Sequence, residues 1–137
     1  MARDLLHEIV CEALLKDGWV ITHDPYRMTE YDPEWEIDFG AEKLIAAERG
    51  IEKIAVEVKS FLEISFANEF HRILGQYLNY LSALRRIEPD RQLFLAVPKD
   101  VFEEEFHRLG IANAVSDYSV KIIVFDRNLK EMLLWKM

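Results

Sequence analysis

The order of apolar and polar positions divides the chain into stretches with a helical period and stretches with a strand period. Leu5, Leu6, Ile9, Val10, Ala13 and Leu14 recur at helical spacing, which predicts a first helix capped by Asp4, running to about Lys16 and stopped by Gly18. Trp19 to His23 reads as a short strand closed by Asp24-Pro25. Tyr26 to Glu34 has no clear period and contains Pro33, so an exposed loop is expected there. Glu36 to Gly40 is a second short strand, and Ala41 to Glu48 fits either its extension or a helical turn. In Ile54 to Ser60, Val56 and Val58 alternate with Glu57 and Lys59, so one face builds a core and the other carries an acid beside a base. Phe61 to about Arg86 reads as a long helix with Phe66, Phe70, Ile73, Leu74, Tyr77, Tyr80, Leu81 and Leu84 as its buried stripe, ended by Glu88-Pro-Asp.

Leu93 to Val97 is an unbroken apolar run, the mark of a central strand covered on both sides. A helix follows from Val101 to about Leu109, then a loop with Asn113, Ser116 and Asp117. Val120 to Phe125 reads as a buried strand, and Glu131 to Lys136 as an edge strand or an interface segment. This order predicts a single α/β domain over residues 1–137, a mixed sheet flanked by helices.

The strand pattern also places chemistry. Glu48-Arg-Gly-Ile51 reads as a turn, with Gly50 free to take positive φ. A chain that doubles back near Arg49 puts Asp38 opposite Ser60, within about one pair of Lys59 and next to Glu57. Two carboxylates and an ammonium then converge at one end of a hairpin. A charged pair alternating with valines is also what the wet side of any half-covered strand looks like; Asp38 at the pairing distance, with helices before and after, favours a site. Mg²⁺, or Mn²⁺ in its place, takes one or two carboxylates plus phosphate oxygens, so Asp38, Glu57 and the backbone carbonyl of Val58 form the expected metal ligands. Lys59 is expected over the attacking water or the strained phosphate.

Composition changes this picture in one respect. Half of the 137 residues are hydrophobic, with five glycines and four prolines, so a compact chain is expected. The net charge of −8, however, is opposite to that of an autonomous nucleic-acid binder. Lys43, Arg49, Lys53, Lys59, Arg72, Arg85 and Arg86 are candidates for a local basic strip, and weak DNA binding alone or help from a partner is expected. Cys11 has no second cysteine to pair with and reads as a small buried hydrophobe. No long apolar run is present, and Met-Ala-Arg-Asp lacks an apolar signal region, so a cytoplasmic protein with no membrane association is expected. A glycine-rich phosphate loop, His-Glu-x-x-His and Gly-x-Ser-x-Gly are all absent, which removes P-loop hydrolysis, zinc peptidase and serine hydrolase chemistry as leading readings.

An aspartate followed by Glu57-x-Lys59 on the next strand resembles the PD-(D/E)xK nuclease superfamily, whose name has proline where this chain has Ile37. The resemblance implies a restriction-endonuclease-like α-β-β-β-α-β core, with Asp38, Glu57, Lys59 and Gln76 as catalytic residues. Gln76 and Tyr80 form a Gln-x-x-x-Tyr pair like that found after the lysine strand in many members, and Gln76 is expected to hold Lys59 or the scissile phosphate. Glu8, on the first helix, and His7 are further candidates, for the metal and for phosphate respectively, with a solvated face as the ordinary alternative.

A closer resemblance runs along nearly the whole chain. Met-Ala-Arg-Asp with His7, Lys16-Asp-Gly-Trp19 with Ile21-Thr-His-Asp-Pro25, Gly40 to Glu48, Ile54 to Phe61, Leu74-Gly-Gln76, and Glu88 to Leu93 with Leu95-Ala-Val-Pro98 are similar to the XisH family. XisH proteins are described as fdxN-element excision controlling factors, acting with a separate recombinase and a small companion, XisI. The resemblance implies a role in programmed excision of a DNA element, with DNA, an XisI-type protein and a site-specific recombinase as partners. Resolvase-like relatives pair so that two active sites face two strands, which makes a homodimer a reasonable expectation. Two functions follow: a Mg²⁺-dependent DNA endonuclease, or a non-catalytic regulator that keeps the fold and binds XisI or the recombinase.

Overall fold

A computed structural model describes residues 2–46 and 50–136. The elements in chain order are α1 (Ala2–Lys16), β1 (Val20–His23), β2 (Tyr26–Met28), β3 (Trp35–Ile37), β4 (Phe39–Ala46), β5 (Gly50–Val58), α2 (Phe66–Ile87), β6 (Arg91–Pro98), α3 (Lys99–Glu105), α4 (Leu109–Asp117), β7 (Ile122–Asp126) and β8 (Glu131–Lys136). Six strands form one mixed sheet in the order β1-β4-β5-β6-β7-β8. β5, β6 and β7 run parallel, while β1 against β4, β4 against β5 and β7 against β8 are antiparallel. Parallel neighbours need crossovers, and α2 and the α3–α4 pair supply them.

Strand alternation sends each residue to one of two cores. Ala55, Leu93, Leu95, Val97, Ile122 and Val124 meet Phe70, Ile73, Tyr77, Tyr80 and Leu84 of α2. Phe39, Ile54, Val56, Phe94, Ala96, Ile123 and Phe125 point the other way, toward Leu6, Ile9, Val10 and Leu14 of α1. The face of β5 expected to be wet is therefore covered by α2, and Glu57 is only 8% exposed.

Several expectations need correction. α1 begins at Ala2, ahead of the expected cap at Asp4. The expected loop over Tyr26 to Glu34 starts with β2, which pairs with β3 as Tyr26↔Ile37, Arg27↔Glu36 and Met28↔Trp35 in a small second sheet. Three residues are too few to show a period, yet Tyr26 and Met28 are both buried. The expected strand Glu36 to Gly40 is split at Asp38, where the chain leaves the small sheet for the large one. Ala41 onward continues as strand to Ala46; Arg49 of the expected turn lies outside the described residues, and Gly50 takes φ +84° as expected.

The hairpin register differs as well. Phe39 pairs with Val56, so Asp38 extrapolates to a place opposite Glu57, not Ser60. The second helix starts at Phe66, where the Ser65 hydroxyl accepts from Asn68 N at 3.2 Å, and Phe61 lies in the preceding loop. The stretch expected as one helix and a loop is two helices, because Ile111, Ala114 and Val115 pack at helical spacing against the α2 side while Phe106 is buried at the break.

Candidate active site

Asp38 sits at the junction of β3 and β4, and Glu57 lies one residue before the end of β5; both point to the α2 side and both are buried. The two segments are tied by reciprocal bonds. Asp38 N donates to Glu57 Oε1 at 3.2 Å, and Val58 N donates to Asp38 Oδ2 at 2.8 Å. Lys59 Nζ lies 3.1 Å from Glu57 Oε2, while Lys59 N donates to Ala96 O at 3.1 Å and so fixes the backbone beyond the strand end. Burial, and after it the negative charge of Asp38, push the Glu57 carboxyl above its usual range; Lys59 and the Asp38 N–H offset this only in part.

These groups open into a cavity of about 710 Å³. Asp38, Glu57, Val58, Lys59 and Gln76 all line it, so the structure brings together the residues singled out from the sequence. The Gln76 amide donates to Tyr80 OH at 2.9 Å, the intrahelical pair its spacing suggested, rather than to Lys59. Burial, and then Glu57, push the Tyr80 phenol up to about 12, so it stays a neutral donor in this wall.

The opposite wall comes from α1 and the turn after β1, through Leu6, His7 and Pro25. His7 Nε2 is 2.8 Å from Asp24 Oδ1, and its ring stacks on Phe39 with centroids 4.1 Å apart. Glu8 is exposed and is not among the residues that line the cavity. Cys11 is half-buried against the α1 core, with its thiol pKa raised by burial and then by Asp24, Glu12 and Glu8.

Of the expected basic strip, Lys59 and Arg72 reach the cavity, and Arg72 is paired with Glu63. Lys43 donates to the Asp17 carbonyl, Lys53 pairs with Glu88 and Asp90, Arg86 donates to Ser82, Arg85 is exposed on α2, and Arg49 lies outside the described residues. Sequence reasoning missed Glu69, which is buried, lines the cavity and accepts from Glu63 N at 3.0 Å, clamping the loop that follows Lys59. The signal was present: Glu69, Ile73, Gln76 and Tyr80 follow one another at three- and four-residue steps, and all four line the cavity.

Fold and site together define an α/β domain with an acid-floored, lysine-bearing cavity where its central strand ends. The sequence model of the family described as XisH protein matches residues 1–133, and the chain belongs to the XisH family. A solved XisH family protein from Nostoc punctiforme PCC 73102 is 38% identical, with a TM-score of 0.88 over 98% of this chain and 100% of its own. A fdxN element excision controlling factor protein from Anabaena variabilis is 40% identical, with a TM-score of 0.87 over 98% of this chain and 99% of its own. No curated protein matches. Among the described residues no helix is long and apolar enough to cross a membrane.

Proposed function

We propose that this XisH protein is a metal-dependent DNA endonuclease of PD-(D/E)xK type, acting in the controlled excision of a DNA element. The excision role is argued from family membership and from the name of the Anabaena variabilis relative. The observation that carries the hydrolytic reading is the reciprocal tie in which Asp38 N donates to the Glu57 carboxylate and Val58 N donates to the Asp38 carboxylate, which holds two buried carboxylates and Lys59 at one cavity. That donor set suits a hard, hydrated ion. Asp38 and Glu57 with the single Lys59 ammonium leave the end of β5 short of positive charge. Asp38, Glu57 and the Val58 carbonyl would hold Mg²⁺ or Mn²⁺, which when bound supplies charge stabilisation of the phosphoryl oxygens. Lys59, already a donor to Glu57, steadies the phosphate, and Gln76 shapes the wall beside it.

Asp38→Ala, Glu57→Ala or Lys59→Ala is expected to abolish Mn²⁺-dependent cleavage of duplex or four-way-junction DNA while leaving the circular dichroism spectrum unchanged. Equal cleavage by these variants would refute the assignment. A second reading, a regulator docking onto an XisI-type protein or the recombinase, is favoured by the net charge of −8 and by Glu34, Glu36, Glu63 and Glu69 around the cavity. Calorimetry separates the two: saturable Mn²⁺ heat lost in Glu57→Ala supports the enzyme, and no metal heat with tight partner binding supports the regulator.

A further inference from the structure

We infer that His7, oriented by Asp24, is the proton acceptor for the attacking water in this cavity; the inference rests on the endonuclease reading above. An ionised carboxylate only accepts hydrogen bonds, so the 2.8 Å contact between Asp24 Oδ1 and His7 Nε2 places the ring hydrogen on Nε2. A neutral ring so held has its lone pair on Nδ1, which has no hydrogen-bond partner among the described residues. Phe39 at 4.1 Å supports the ring from beneath, and Asp24 fixes its rotation. The other cavity groups are already engaged. Lys59, paired with Glu57, has donors only, while Glu57 and Asp38 accept bonds that tie their own strands together. Of the remaining carboxylates in the lining, Glu34 and Glu36 pair with Arg27, Glu63 pairs with Arg72, and Glu69 accepts from Glu63 N.

His7 and Lys59 also enter the cavity from opposite sides of the sheet, His7 from the α1 side and Lys59 from the α2 side. Both line the one cavity of about 710 Å³, and a phosphate held there by Lys59 would share that space with the His7 ring. In the step, a water O–H bond breaks and its proton passes to His7 Nδ1. The water oxygen bonds to phosphorus as the opposite P–O bond breaks, and the departing oxygen takes a proton from solvent. His7 then returns its proton to solvent.

His7 thus acts as a catalytic residue, and Asp24 as a positioning residue. Two measurements on the full chain test this. Nitrogen-15 NMR of the metal-free protein, at a pH where the ring is neutral, is expected to show His7 protonated on Nε2. Asp24→Asn, whose amide can itself donate to Nε2, is expected to shift the ring toward the other tautomer. In Mn²⁺-dependent cleavage of a labelled four-way junction, His7→Ala and His7→Gln are expected to lower kcat by about 10²- to 10⁴-fold at unchanged KM, with partial restoration of His7→Ala by added imidazole. The glutamine variant keeps a donor for Asp24, so it controls for a purely structural tie. A native Nδ1-protonated ring, unchanged kcat in both variants, or full restoration of His7→Ala on DNA with sulfur replacing the leaving oxygen would overturn the assignment. A native protein that cuts no DNA removes the endonuclease reading itself, whereas native cleavage with intact His7 variants removes only the role of His7.

Discussion

Gly40 shows how tightly single residues are constrained next to the candidate site. A Cβ there would lie 2.8 Å from His23 Nδ1 and 3.0 Å from both His23 Cβ and Tyr26 Cδ2, and Tyr26 is itself buried beneath the Arg91 guanidinium, 4.9 Å from its ring centre. Gly40→Ala is expected to cost about 1–3 kcal/mol in urea unfolding, because the tyrosine has little room to yield. Gly75, inside α2, has nothing within 4 Å of an added Cβ, so Gly75→Ala is expected to stabilise by about 0.5–1 kcal/mol through helix propensity alone. Glu88 supplies a pH test. Burial would raise its carboxyl, but bonds from Arg91, Tyr26 and Lys53 outweigh that and hold it down at about 2, against an ordinary 4.5. A depressed carboxyl stabilises the fold above its unfolded value and loses that contribution as pH falls. Native stability should therefore decline from about pH 4.5 toward pH 2, and Glu88→Gln should flatten that limb of a thermal-melt series.

Elements are joined by groups whose sequence signal is uneven. Arg91 opens β6 with its side chain only 1% exposed, donating to the carbonyls of Ile54 at 2.8 Å and Ala41 at 3.4 Å and to both Glu88 carboxylate oxygens. It bolts β4, β5 and the end of α2 together from below, and Arg91→Ala is expected to cost about 3–5 kcal/mol because Glu88 loses its nearest cation and the carbonyls of Ala41 and Ile54 lose a donor. Nothing in Glu88-Pro-Asp-Arg marks that arginine as buried, since a lone charge after a helix usually faces water. The long stripe of α2 and the unbroken run Leu93 to Val97 were legible, because burial on a regular element imposes its period on the sequence. β2 was not, because its pairing with β3 is decided by a partner strand and by three residues alone. The candidate site was legible in part for the same reason. Asp38 and Glu57 were found together by counting across a hairpin, and the true register brings them closer than that count did. The Asp24 partner of His7 depends on how α1 lies over β1, which no local pattern records.

The charge of the whole molecule limits how the proposed endonuclease would meet DNA. A net charge of −8 leaves long-range attraction to phosphate unfavourable, and most of the basic residues spread along the sequence are spent on local acids or carbonyls. Among the described residues, the lysine and arginine that line the cavity are Lys59 and Arg72, each already paired with a glutamate. Binding that relies on them releases few counterions, because each phosphate neutralised contributes a slope of about −0.9 in log K against log salt. Fluorescence anisotropy of a labelled DNA junction with the Asp38→Ala variant, chosen because the proposal expects it not to cleave, is expected to give a shallow slope of about −2. A slope several units steeper would mean that another basic surface of this chain grips the DNA. If a purified companion protein instead steepens the slope when added, the phosphate contacts this acidic domain lacks are supplied in trans. On the proposed reading, cavity chemistry and DNA affinity would then reside on different chains.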